Sequence, residues 1–109
     1  MKAYAMAHLR DVDFNDEIAD YLRRIDATLE PFGGRFLVHG GRVHPLEGEF
    51  DAALVVLEFP TLDAARDWYR SPAYQAILPL RTGNSRGVAF LVEGVGPDYR
   101  GVDKLAATH

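Results

Sequence analysis

The sequence predicts a single α+β sandwich of element order β-α-β-β-α-β, a four-stranded antiparallel sheet with both helices on one face. Three observations carry that reading. Residues 58–77, EFPTLDAARDWYRSPAYQAI, hold a strand end followed by two helix starts. An amphipathic stripe runs for more than four turns between residues 14 and 32. The run AALVVLEF, residues 52–59, is β-branched and apolar on both faces, as a central covered strand requires.

Taken in order, residues 2–10 alternate as a strand, with Ala3, Ala5 and Ala7 on one face and Tyr4, Met6 and His8 on the other. The alanine face invites close packing by a helix. Asp13 is placed to cap that helix, whose stripe is Phe14, Ile18, Tyr21, Leu22, Ile25, Leu29 and Phe32. Pro31 and the pair Gly33-Gly34 end it, since glycine adopts the left-handed backbone of a helix C-terminus. A strand is predicted from Arg35 to about Val43, with a bulge at Gly40-Gly41 and a turn around Pro45 and Gly48. After the central strand, Thr61 caps a second helix that turns Leu62, Ala65, Trp68 and Tyr69 to the core. Ser71-Pro72 opens a third, shorter helix, with the hydroxyl at the cap and proline in the first turn. Residues 88–94, VAFLVEG, close the sheet, and the tripeptides LEG and VEG hint at a duplicated half.

A chain of 109 residues is one domain's worth; the domain is placed at 1–95 and residues 96–109 are read as a flexible tail. With both helices on one face, the other face of an apolar central strand is left bare, and a second copy of the chain is the simplest cover. The formal net charge of -4, without a Lys/Arg stripe, argues against nucleic acid or an anionic membrane as partner. No cysteine is present, which excludes a disulfide framework, thiolate zinc sites and a cysteine nucleophile. The opening MKAYAMAHLRDVDF lacks the apolar core of a signal peptide and no run is long enough to span a membrane, so the cytoplasm is the expected location.

His39, near a glycine pair at a strand end, is the candidate general base, and Glu58, an acid in an apolar strand, is the second. Glu58 is expected either at an exposed strand end or buried with a raised pKa. His8, sharing a face with Tyr4 and Met6, is a further polar candidate. His39 and His44 have neither the strand nor the helix spacing of a ligand pair, so no metal site is predicted. Arg35 and Arg42 each follow a glycine pair that could cradle an anion, although a helix end and a bulge explain the glycines without one. Trp68, Tyr69 and Tyr74 are candidate pocket walls. Ser71 precedes proline and Ser85 lacks a nucleophile elbow, which sets aside a serine hydrolase. Asp11 and Asp13 suit helix capping better than glycoside hydrolysis.

The segments GGRFLVHGG, LEG, VVLEFPTLDAARDWYRSPAYQAILPLR and FLVEG together resemble the family of domains of unknown function numbered 1330, over nearly all of residues 2–95. The order FP, helix, W, SP, Y, Q is its most specific part. The resemblance implies a ferredoxin-like fold of the dimeric α/β-barrel group, two sheets meeting face to face in a homodimer. That wider group includes cofactor-independent monooxygenases, muconolactone isomerases and haem enzymes, whereas the family itself has no assigned reaction. The family pattern also places arginines at Arg35 and Arg81, either for a ligand or for an ion pair with a carboxylate such as Glu47. The expectation is a homodimer that binds a small, partly apolar or anionic molecule between sheet and helices. Tyr4, Met6, Trp68 and Tyr74 would form walls, while His39, Arg35 and Arg81 supply polarity. An enzyme using His39 or Glu58 as base, without a cofactor, and a ligand-free structural dimer are the alternatives.

Overall fold

In the computed structural model, which describes residues 1–107, the chain forms β1 (Ala3–Arg10), α1 (Asp16–Leu29), β2 (Arg35–His39), β3 (Ala53–Phe59), α2 (Leu62–Arg70), α3 (Pro72–Thr82) and β4 (Arg86–Glu93). The strands make one open antiparallel sheet in the order β2-β3-β1-β4, so β2 and β4 are its edges. The predicted element order and central β3 are therefore present, with the second helical region divided in two at Ser71. Its hydroxyl accepts from the Tyr74 amide at 3.3 Å and donates to the Trp68 carbonyl at 2.6 Å, closing α2 and opening α3 together. Thr61 caps α2 as predicted, accepting from the Ala64 amide at 3.0 Å.

Three local predictions are corrected. The N-cap of α1 is Asn15, whose carbonyl oxygen accepts from the Ile18 amide at 3.0 Å; Asp13 lies two residues outside and Phe14 is exposed. Asn15 also donates to Asn84 at 2.7 Å, which in turn donates to the Leu80 carbonyl, so the start of α1 is tied to the end of α3. Second, β2 stops at His39, and its bulge lies at Leu37, where the register slips between Phe36 and Val38; Gly40 instead turns the chain away with φ 67°. Third, LEG lies in an irregular loop with Leu46 almost fully exposed, whereas VEG ends a strand, so the tripeptides are not equivalent.

The glycine pair after α1 does two different jobs. Gly33 takes the left-handed conformation (φ 69°) that stops the 3₁₀ turn Glu30–Phe32. At Gly34 a side chain would meet Phe59 at 2.6 Å and Leu29 at 2.9 Å, so its bareness lets β2 enter beside two core residues. The core is made by Ile25, Leu29, Leu57, Phe59, Trp68 and Ile77 among others, between sheet and helices. Within it the Trp68 indole donates to Thr28 at 3.0 Å and Thr28 donates to the Ile25 carbonyl at 2.7 Å, satisfying the polar groups that join α2 to α1.

Strand alternation divides the sheet into two faces. Ala5, Ala7, Val55, Leu57 and Leu91 face the helices, and Tyr4, Met6, His8, Leu54, Val56, Glu58, Phe90 and Val92 fall on the opposite face. Among the described residues that outer face is left partly open, with Val88, Phe90 and Val92 59%, 44% and 41% exposed there. Beyond β4, the segment expected to be a flexible tail carries a 3₁₀ turn (Gly101–Asp103) and one helical turn, α4 (Lys104–Ala107); the last two residues of that predicted tail lie outside the described residues. Among the described residues no helix is long and apolar enough to cross a membrane.

Candidate functional site

Helices α1 and α3 pack alongside one another, while α2 comes close to β1, β3 and β4. Between helices and sheet lies a cavity of about 850 Å³. Its floor is small and apolar, because β1 contributes Ala5 and Ala7 and β4 contributes Ala89, where larger residues would fill the space. Ile18 and Ile25 of α1 supply apolar wall, and Phe36, Trp68, Tyr69 and Tyr74 supply rings.

The bulge at Leu37 explains why two residues three apart on β2 share a face. It turns His39 back to the helix side, where its ring stacks on Phe36 with centroids 4.3 Å apart. His39 thereby borders the cavity from an exposed position at the strand end. Across the interior, the hydroxyls of Tyr21 and Tyr74 are hydrogen-bonded at 2.9 Å, both residues being buried. Burial, and then the neighbouring Tyr74, push the Tyr21 phenol far above its ordinary value, so it stays protonated. Arg81, about two turns along the same face of α3 from Tyr74, is half-buried and lies close enough to feel both hydroxyls. Desolvation acts to lower its pKa, but the two tyrosines outweigh that and hold the guanidinium charged.

The sequence-derived candidates divide between the two faces of the sheet. His39, Trp68, Tyr74 and Arg81 border the cavity, and Met6 touches its boundary although its register places it on the outer face. Tyr4, His8, Arg35 and Glu58 do not border it. Tyr4 and Arg35 are both register partners of Glu58 on the outer face. His8 sits there between Phe50 and Phe90, with ring centroids 5.5 and 6.1 Å away.

Glu58 is neither exposed nor raised in pKa. It is 9% exposed and accepts from Arg35 at 3.0 Å and from Lys2 at 3.3 Å. Desolvation pushes its pKa upward, yet the hydrogen bonds from Arg35 and Lys2, with their charges, prevail and hold it below the usual carboxylate range. For Arg35 or Arg81 the sequence suggested an ion pair with a carboxylate such as Glu47; Arg35 does pair with a carboxylate, but that of Glu58, because the two face each other across β2 and β3. Tyr21 escaped sequence reading as anything but core. Its spacing in the stripe of α1 gives burial, and nothing in the chain order announces the hydroxyl partner 53 residues away. No group of three or more His, Asp or Glu side chains gathers as a metal site among the described residues.

An open four-stranded antiparallel sheet with its helices on one face, and a half-open cavity between the two layers, defines a ferredoxin-like α+β domain. The chain belongs to the family described as a domain of unknown function, DUF1330, whose model matches residues 2–95. Among solved structures it is similar to a dimeric ferredoxin-like protein of unknown function from Jannaschia sp. CCS1, at 14% identity over 86% of this chain and 100% of that one, with a TM-score of 0.65. A protein of unknown function from Rhodopseudomonas palustris is 21% identical over 88% of this chain and 84% of its own, with a TM-score of 0.62. SnoaB, a cofactor-independent oxygenase from Streptomyces nogalater, is 13% identical over 91% and 98%, with a TM-score of 0.59. Likeness at these identities is a likeness of fold. No functionally curated protein matches the chain.

Proposed function

We propose that this protein is a homodimeric binding domain that holds a small, partly apolar molecule between its sheet and its helices. The observation that carries the proposal is the cavity of about 850 Å³, floored by alanines and walled by aromatic rings, with polar groups gathered at a few points. Its size lies within the roughly 300–1,000 Å³ of small-molecule sites. A structural domain gains nothing from such a space, since close packing of the same interior would stabilise it. Dimerisation is favoured by the partly open apolar outer face and by the Jannaschia relative, a dimeric protein of the same fold.

A second reading, a cofactor-independent enzyme of the monooxygenase or isomerase kind, is favoured by His39. Its imidazole borders the cavity, where it could take a proton from a bound molecule, and SnoaB shows that this fold can carry an oxygenase. Glu58 supports that reading less well, being ion-paired on the other face.

The test is a small-molecule screen by thermal shift on wild type and on two variants. His39→Ala and Arg81→Ala are expected to remain dimers with melting temperatures near or above wild type, because polar groups held for binding are rarely placed for stability. A molecule found by the screen should bind each variant more weakly by a factor of at least about ten. Unchanged affinity in both, or a screen and a crystal structure that leave the cavity empty, would favour the ligand-free dimer.

A further inference from the structure

We propose that the tyrosine end of the cavity is an oxyanion receptor, formed by the hydroxyls of Tyr21 and Tyr74 and the guanidinium of Arg81. Its ligand is then an organic monoanion, an aromatic or otherwise apolar body ending in a carboxylate or a similar oxyanion. The inference rests on the reading of the cavity as a binding site, and adds the charge and the orientation of what enters it.

Charge is the first ground. The chain has 16 acidic and 12 Lys/Arg residues, yet every fully charged side chain bordering the cavity is an arginine: Arg66, Arg70 and Arg81. Arg66 is an outer group, within 4.0 Å of Asp63 one turn away on α2. Arg81 is different, because it is half-buried and among the described residues no carboxylate lies within ion-pair distance of it. A cation withdrawn from water without a counter-ion is a poor structural choice and a good place for an incoming anion.

Hydrogen-bond balance is the second. One proton serves the bond between the two tyrosines, so whichever hydroxyl accepts keeps its own proton to donate, and the guanidinium offers only donors. The group therefore presents surplus donors and a positive charge, the complement of an oxygen anion with several lone pairs. Aromatic surface leads away from it: Trp68 packs on Tyr74 with centroids 4.0 Å apart, and the stacked pair Phe36 and His39 borders the same space. The oxyanion would lie inward at Arg81, with the apolar body along these rings.

Two fluorescent probes with one carbon skeleton test this: 8-anilinonaphthalene-1-sulfonate, an anion, and N-phenyl-1-naphthylamine, its neutral counterpart. Wild type is expected to bind the sulfonate roughly ten- to a hundredfold more tightly, the value of one or two hydrogen bonds to a charge. Arg81→Gln should abolish that preference while leaving the neutral probe within about twofold, since only the charge-assisted contact is removed. Ala7→Phe, which fills the cavity floor, should weaken both probes and so separate cavity binding from adsorption on the outer sheet face. Equal affinity for the two probes, with both blocked by Ala7→Phe, would leave the binding cavity standing and overturn the receptor. A sulfonate preference untouched by Arg81→Gln would overturn it as well. Failure of both probes to bind, or binding indifferent to Ala7→Phe, would count against the cavity reading itself. Should Arg81→Gln not fold, Tyr21→Phe keeps the ring and removes one donor; an unreduced sulfonate preference in that variant would also overturn the receptor.

Discussion

Glu58 illustrates how far a carboxylate's chemistry depends on what stands across the strand from it. The sequence shows an acid in an apolar run, and both readings open to it, exposed or buried with a raised pKa, leave out the cations. Arg35 reaches it from β2 and Lys2 from the chain start, contacts that only the sheet register creates. Because its folded pKa is lowered, Glu58 contributes stability above the ordinary carboxylate range, and that contribution is lost as pH falls through the folded value. Glu58→Gln is therefore expected to be less stable than wild type at neutral pH, and the difference should shrink below about pH 4, near the unperturbed carboxylate pKa. Denaturant melts of both proteins across that range decide it, and a difference independent of pH would show that the pairing carries no stability. His39 and Arg81 were legible as polar groups of a pocket between sheet and helices, and both border the cavity, whereas Arg35, expected beside them, lies on the outer face. For His39 the place beside the cavity depends on one extra residue, Leu37, which shifts the face of everything after it.

Helix ends were the best-read part of the chain, since the hydroxyl, the proline and the glycine each act within three residues of where they stand. Thr61 and Ser71 hold the caps expected of them, and Thr61→Ala and Ser71→Ala should each lower stability by about 1 kcal/mol. Chemical denaturation measures both. Losses below about 0.3 kcal/mol would mean that water replaces the capping oxygen at little expense. Asn15 shows the limit of such local reading. Asp13 and Asn15 are both good caps, and the choice between them is made by Asn84, brought alongside by the packing of α3 on α1. The same limit applies to Gly40 and Gly41, whose pairing suggested a bulge when Gly40 in fact ends the strand. Long-range partners, absent from any window of sequence, made these decisions.

The outer sheet face joins one chain to the next in the proposed assembly. Leu54 and Val56 lie on it beside His8 and Met6, and an aspartate at either place would put unpaired charges against each other across a two-fold contact. Light scattering on wild type is expected to give a dimer mass at micromolar concentration, and Leu54→Asp or Val56→Asp to give monomer or insoluble protein. A soluble, stable wild-type monomer would refute the homodimer. The element order and the two-sided apolar β3 made this face legible from sequence, and a pocket between sheet and helices was expected, but its alanine floor was not, because empty space depends on which small residues of β1 and β4 come to lie together. Trp68 stands at that space, 3% exposed and in contact with Tyr74, and it is the only tryptophan in the chain. The protein thus carries its own optical gauge: indole emission should be blue-shifted in the folded chain, move to longer wavelength on unfolding, and change in intensity when a guest displaces solvent beside the ring. A red, solvent-like emission from the native protein would mean that Trp68 is not packed as described.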